Sequence, residues 1–370
     1  MSSKQQEWRV IMTSHFDLRH VRPVSRRRAL SMGAAGLATA CLWRPAFGQS
    51  KELVVGDWGG ASTTAFKKSW EQLLASKYGI KLAMESSGPA PGKLRAMVES
   101  GKVIWDVCDT SSGGTFQLGE AGLLEEIDYS IVDKAKVRPE FAFKYGVCNY
   151  AFSYVMAVNS STFPKDSAPR TWADFYDLKK FPGRRTLRAL VEGQLEGALL
   201  ADGVAPKDLY PLDVDRALAK INTIKAQTIF WKSGAESENL FRQGEVVAGN
   251  LWSGRANVLR EETNGTTGWK WDGAILAPAV WAVPKGNPAG KGAAMRLIAA
   301  FQDPAGQVEW FKNYGAYPAN PATAALIPAA MKTLDGSQPE NIAVQVTFNV
   351  PWYAKNTAEA QAKYLQMMSS

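Results

Sequence analysis

Histidine and cysteine are scarce in this 370-residue chain, which holds two and three of them, and long apolar runs are missing. The most extended apolar stretch, Ala29 to Trp43, falls short of the roughly 20 residues needed to cross a bilayer. Both histidines, His15 and His20, and one cysteine, Cys41, lie within the first 48 residues. Those residues read as a removable leader. Ser25 precedes the arginines Arg26, Arg27 and Arg28, a mildly apolar Ala/Gly-rich stretch follows, and Ala46-Phe47-Gly48 forms a small-x-small cleavage site. This order is that of a twin-arginine export signal spanning 1–48, and it predicts a periplasmic protein. Lipid anchoring at Cys41 is the weaker alternative, because Leu37 sits one place too far from the cysteine. Without the leader no histidine remains, which excludes His-dependent triads, Cys–His dyads and His-ligated zinc.

The leader also carries eight of the 43 basic residues but two of the 35 acidic ones, leaving 35 against 33. The formal charge of +8 is therefore mostly the signal's, and no nucleic-acid partner is expected from charge. Cys108 and Cys148 remain. Outside the cytoplasm a disulfide between them is one expectation, and two buried free thiols are the other.

Catalytic and cofactor signatures are missing as well. Gly88-Pro89-Ala90-Pro91-Gly92-Lys93-Leu94 is one residue short of a phosphate loop and has Leu where a hydroxyl would hold magnesium. No G-x-G-x-x-G follows a strand, and no G-x-S-x-G elbow or calcium loop is present. No cofactor and no metal are expected, and the prior for an enzyme falls.

What is there alternates strand and helix. Glu52–Gly56, Ile80–Met84 and Ile104–Cys108 read as strands. Ser62–Lys77 and Gly92–Gly101 read as helices, the first with Phe66, Trp70, Leu73 and Leu74 on one face. This βαβαβ run predicts a parallel sheet with helices on its faces. A second run follows. Its strands are Ala151–Val158, Glu245–Trp252 and Ala274–Val283. Its helices are Leu195–Leu200, Val214–Ile224, Gly292–Phe301, Asp303–Tyr314 and Ala358–Met368, and Thr171 is an N-cap before Trp172. About 320 residues exceed one ordinary core, so two α/β domains are expected, with a ligand crevice at strand C-terminal ends.

Loops after these strands supply the candidate site. Trp58 and Gly59 follow the first strand, with two glycines that let backbone N–H groups approach a ligand. Thr110, Ser111 and Ser112 follow the third and offer hydroxyls, or alternatively a helix cap. Trp252 and Arg255 end a later strand, and Tyr317 sits in a Gly/Pro turn. Trp70, Trp105 and Trp172 fit apolar faces and read as core. Trp58 and Trp252 stand directly after strands and before glycines, and are placed in the cleft, where indole faces attract ammonium groups.

With these segments in hand, the chain resembles an extracellular solute-binding protein of an ABC importer, in the spermidine/putrescine-binding group. The resemblance rests on an ordered set: Trp58; Trp105-Asp106-Val107; Gly119-Glu120-Ala121-Gly122-Leu123-Leu124; Thr171-Trp172-Ala173-Asp174-Phe175 with Phe181-Pro182-Gly183; Gly244-Glu245-Val246; Trp252-Ser253-Gly254; and Tyr317-Pro318. It implies a two-lobed periplasmic-binding-protein fold of type II. Each lobe is a mainly parallel sheet flanked by helices, lobe I covering 50–157 plus 283–323 and lobe II 158–282 plus 324–370. It further implies a monomer that delivers a small solute to a cognate inner-membrane permease and does no chemistry. Trp58, Trp252 and Tyr317 match aromatics of the family's amine cage, and Thr110 a polar position. The acidic positions do not match: Leu190 and Gly193 stand where carboxylates belong, with Glu192 and Glu196 only nearby, and Ala277, Ala279 and Ser112 replace a Trp, an Asp and an aromatic. A buried ammonium without a carboxylate is costly. The expected solute is therefore polyamine-like, or a smaller γ-aminobutyrate-like zwitterion whose carboxylate is held by Arg255, with Arg188 as second candidate, and whose amine is caged by Trp58 and Trp252. A secreted carboxylate-dependent enzyme and a solute-sensing receptor subunit are the competing functions.

Overall fold

The computed structural model describes residues 52–164 and 167–370; the leader at 1–48, its cleavage site and Cys41 lie outside them. Eleven strands form one sheet: β1 (Glu52–Gly56), β2 (Lys81–Glu85), β3 (Val107–Ser111), β4 (Val147–Asn159), β5 (Arg185–Arg188), β6 (Thr228–Trp231), β7 (Ala248–Trp252), β8 (Thr267–Gly268), β9 (Ile275–Ala282), β10 (Tyr317–Pro318) and β11 (Val346–Thr347). The main path is β2-β1-β3-β9-β4-β7-β5-β6. β1 pairs in parallel with β2 and β3, and β5 pairs in parallel with β6 and β7. Between these two parallel triplets lies the antiparallel pair β9–β4. The sheet thus consists of two α/β units joined through two long strands.

Each unit has its own hydrophobic core. The first gathers Val55, Phe66, Trp70, Trp281, Phe301 and Trp310, from β1, β9, the helix α1 (Ala61–Leu73), the end of α9 (Lys291–Ala300) and α10 (Pro304–Tyr314). The second gathers Trp172, Leu187, Leu195, Trp231, Tyr353 and Tyr364. β4 gives Val147, Cys148 and Tyr150 to the first core and Tyr154 and Val158 to the second; β9 gives Ala279 and Trp281 to the first and Ile275 and Ala277 to the second. The exchange falls at 150–154 on one strand and 277–279 on the other.

The helices are α2 (Pro91–Glu99), α3 (Ser112–Glu120), α4 (Trp172–Tyr176), α5 (Gln194–Ala201), α6 (Val214–Asn222), α7 (Gly234–Arg242), α8 (Ser253–Glu262), α9 (Lys291–Ala300), α10 (Pro304–Tyr314), α11 (Pro339–Ile342) and α12 (Val350–Ser369). Phe66 and Trp70 do bury one face of α1, and the Trp70 ring lies so close over Gly306 that a methyl group there would sit 2.2 Å from it. Thr171 caps α4 reciprocally with Asp174, as the sequence predicts.

Two readings shift and one helix goes unread in the sequence. The third strand runs over Val107–Ser111 rather than Ile104–Cys108. Asp106 is spent on backbone N–H groups of Val54 and Ala289, at 2.8 and 2.6 Å, and the strand continues through the polar Asp109 and Thr110. Helix α3 has no apolar periodicity, because its glycines serve packing. Gly113 meets Tyr353 and Thr357 of α12, and Gly119 lies on the Tyr145 ring. A bridge between Cys108 and Cys148 is not formed; both are free, buried thiols. β3 and β4 lie on opposite sides of β9, Cys108 opposite Ala282 and Cys148 opposite Val280. Two strand spacings, about 10 Å, separate them, beyond the ~7 Å that a disulfide tolerates between Cα atoms.

Candidate ligand-binding site

The C-terminal ends of the parallel strands converge where β4 and β9 change cores. Trp58 follows β1, Asp109 to Ser112 end β3 and open α3, Arg188 ends β5, and Trp252 ends β7; all line one cavity. Its floor is the β4–β9 pair. Tyr150, Phe152 and Tyr154 alternate along β4 and so project from one face, while Tyr150 and Phe152 stand opposite Ala279 and Ala277. Large rings facing methyl groups leave the space open. Ala277 and Ala279 thus leave room that larger side chains would fill.

Arg188 dominates the cavity's electrostatics. It is 2% exposed, and its Nη1 donates to the Tyr154 hydroxyl at 3.2 Å and to Glu192 Oε2 at 3.1 Å. Its guanidinium carbon lies 4.8 Å from the Trp252 ring centre, 5.2 Å from Trp58 and 5.7 Å from Trp231. Trp58 and Trp252 are themselves packed edge to face at 5.5 Å, and Trp231 and Trp252 at 5.0 Å. The two tryptophans placed in the cleft are indeed there, but their faces hold an arginine of the protein rather than standing free. Nε of Arg188 has no hydrogen-bond partner, and none of the hydrogen bonds among the described residues uses Nη2. An N–H edge of the fork is therefore left for an incoming oxyanion, the geometry that suits a carboxylate.

Asp109 is the second charged group in the cavity. It accepts a 2.5 Å hydrogen bond from Tyr150 and is 5% exposed. Burial pushes its carboxyl up to about 7; nearby Asp57 adds to the rise, while the Tyr150 hydrogen bond, Arg188 and Arg255 oppose it. Hydroxyls complete the rim. Thr110 Oγ1 donates to Pro89 O at 3.1 Å, and Ser111 Oγ caps α3 by accepting from Gly114 N at 3.2 Å, so the helix-cap alternative holds for Ser111. Ser112 lines the cavity and makes no side-chain hydrogen bond among the described residues.

The remaining predicted residues stand behind the cavity wall. Arg255 is fully buried, with Nη1 on Glu238 Oε1 and Nη2 on Gly59 O, both at 2.7 Å. It braces the turn that carries Trp58. Gly59 and Gly60 take φ of 73° and 67°, conformations reserved largely for glycine, and the Gly59 N–H points to Asp57 rather than to a ligand. Glu196 is enclosed, accepting from Tyr210 at 2.6 Å and Tyr353 at 2.9 Å; burial raises its carboxyl to about 7 despite those bonds. Tyr317 pairs with Ala151, whose side chain faces away from Tyr150 and Phe152, so its ring packs behind the floor against Trp271 at 5.8 Å. Asp109, Tyr150, Phe152, Tyr154, Tyr314 and Phe348 were missed. The alternating aromatics of β4 were a legible signal; Tyr314 and Phe348 arrive from distant returns of the chain and had none.

With this geometry, comparisons with known proteins become informative. The family described as bacterial extracellular solute-binding protein matches residues 63–335. The chain belongs to this family. It is 33% identical over 304 residues to the Gamma-aminobutyric acid-binding protein of Pseudomonas aeruginosa, covering 80% of this chain and 84% of that protein. It matches the structure of the Atu4243-GABA receptor at 34% identity and a TM-score of 0.74, over 86% of this chain and 98% of that one. It matches the PBP AgtB from A. tumefaciens R10 in complex with agropinic acid at 33% identity and a TM-score of 0.80, over 86% and 99%. The fold is accordingly the two-lobed one of periplasmic binding proteins, and this solute-binding protein serves an ABC importer. Its family acts outside the cytoplasm, binds small solutes and works with a membrane permease.

Proposed function

We propose that this solute-binding protein captures a small solute bearing both a carboxylate and an ammonium, of the γ-aminobutyrate type, and releases it unchanged to its inner-membrane permease. The observation that carries this is the unpartnered Nε of Arg188, a residue that lines the same cavity as Asp109. The carboxylate docks on Arg188, flattened between Trp58 and Trp252. The ammonium goes to Asp109 and the rings of β4. This revises the roles inferred from sequence: Arg188 rather than Arg255 takes the anion, and a carboxylate rather than the indole pair takes the amine. Two of the related proteins named above are described by their binding of γ-aminobutyrate, which agrees with the chemistry.

In this reading the protein is a monomer that needs no cofactor, binds no nucleic acid and turns nothing over. It reaches the periplasm by the twin-arginine leader. Closure of lobe I (50–157 plus 283–323) on lobe II (158–282 plus 324–370) bends β4 and β9, whose change of cores lies a few residues inside those limits. Calorimetric titration with γ-aminobutyrate, putrescine and spermidine tests it. Stoichiometric binding of γ-aminobutyrate, lost in Arg188→Ala, is the expected result. Tight polyamine binding that is indifferent to Arg188→Ala would sink the proposal.

A further inference from the structure

A second buried carboxylate in the cavity is only half used. Glu192 lines it with its side chain 4% exposed; Oε2 accepts from Arg188, whereas Oε1 has no hydrogen-bond partner. A buried carboxylate oxygen left without a donor is expensive, on the order of 1–3 kcal/mol or more. It also stands beside Arg188, the group to which the proposed ligand's carboxylate is assigned. Asp109 lies on another strand end, held by Tyr150.

The charge balance points the same way. The buried charges on and behind the cavity are the guanidiniums of Arg188 and Arg255 against the carboxylates of Asp57, Asp109, Glu192, Glu196 and Glu238. Arg242, partly exposed, adds a third cation at 2.8 Å from Glu238. With every group ionised, two carboxylates are in excess. A neutral zwitterion leaves that excess in place; a solute of net charge +1 reduces it, and buried charge favours the more nearly neutral arrangement.

We infer that Glu192 Oε1 receives a second ammonium placed on the carbon next to the ligand's carboxylate, so that the favoured solute class is a short diamino monocarboxylic acid. Its carboxylate docks on Arg188, its α-ammonium on Glu192 and its terminal ammonium on Asp109. The inference rests on the carboxylate assignment made above and names the substrate class of that same site.

Three ligands of one carbon length separate the possibilities: 2-aminobutyrate, 4-aminobutyrate and 2,4-diaminobutyrate, titrated calorimetrically into the wild-type protein and Glu192→Gln. The expected result is that 2,4-diaminobutyrate binds wild type at least tenfold tighter than 4-aminobutyrate, and that this ratio collapses toward one in Glu192→Gln. The wild-type ratio stands as a measurement even if the variant fails to fold. Equal or tighter binding of 4-aminobutyrate to wild type overturns the diamino assignment while leaving the carboxylate reading intact. Binding of putrescine without binding of any of the three acids overturns both, as does no binding at all.

Discussion

Two buried arginines, Arg188 and Arg255, sit next to carboxylates in this molecule, and they do opposite things. Arg255 has both terminal nitrogens engaged, on Glu238 and on the Gly59 carbonyl, and stands behind the cavity wall. Arg188 spends one terminal nitrogen on Tyr154 and Glu192, leaves Nε without a partner and lines the cavity. The same pairing recurs between carboxylates. Glu196 is closed off by two tyrosine hydroxyls, while Asp109 has one and faces the space a ligand would fill. Residue type does not distinguish frame from site here. Nor does an unpartnered nitrogen, since Nε of both arginines lacks a partner; position does, because of these four groups Arg188 and Asp109 line the cavity, where a ligand can complete a buried polar group that is otherwise costly.

The largest effect expected is on the frame. Arg255→Ala leaves Glu238 Oε1 and the Gly59 carbonyl without their donor, with Glu238 Oε2 still on Arg242, and frees the Gly59-Gly60 turn; it should lower unfolding free energy by about 3 kcal/mol in denaturant titration. Arg188 is the contrast. Arg188→Lys keeps a cation for Glu192 but loses the planar fork and its stacking on Trp58 and Trp252. Arg188→Ala should cost a carboxylate ligand roughly 30-fold or more in calorimetric affinity, and Arg188→Lys about tenfold, the latter with stability nearly retained. If Arg255→Ala cost affinity while preserving stability, the two roles would have to be exchanged.

The two carboxylates divide by pH. Burial raises both to about 7, so each is a group whose folded-state pKa lies above its unfolded one. Their contribution to stability is complete below about pH 4, where both states are protonated, and is lost as the pH rises through 7. Melting of the ligand-free protein between pH 4 and 7 should therefore show a downward slope that Asp109→Asn and Glu196→Gln each flatten. Ligand separates them. An ammonium docked on Asp109 needs the ionised carboxylate, so affinity should rise with pH up to about 7, by at most about tenfold per unit. Asp109→Asn should abolish that dependence of affinity and Glu196→Gln should leave it, as followed by titration at several pH values.

Much of the frame was legible in the residues because it follows period and capping. The Phe66/Trp70 face of α1, the Thr171 cap and the apolar run of β9 all agree with simple pattern. Arg185–Arg188 was not read as a strand, since its two arginines mask it; Arg185 is buried by three backbone carbonyls, of Phe175, Gly183 and Phe181. In the site, Trp58, Trp252 and the hydroxyl run from Thr110 to Ser112 were found, as they follow strands. Glu196 was drawn in by the family pattern, Tyr317 by its turn and that pattern, and Arg255 by its place after a strand, yet all three act from behind the wall. What separates Arg188 from Arg255 is which neighbours complete each fork, and those neighbours come from β4, α7 and the first turn, far apart in sequence.

The smallest effect concerns the cysteines, which stand beside the site groups without joining them. Cys108 immediately precedes Asp109, and Cys148 donates to the Tyr150 carbonyl at 2.9 Å. Burial pushes both thiols far above their ordinary range, so neither presents a reactive thiolate at neutral pH. A bridge between them would have to draw β3 and β4 together across β9, displacing Val280 and Trp281 and with them the Asp109–Tyr150 hydrogen bond. Reductant should accordingly leave both melting temperature and ligand affinity unchanged, and labelling of the unfolded chain should count two free thiols in the mature protein. A drop in affinity on reduction would mean that the frame around Asp109 is held covalently, and the pH behaviour assigned to that carboxylate would then belong to a different packing of β3, β9 and β4.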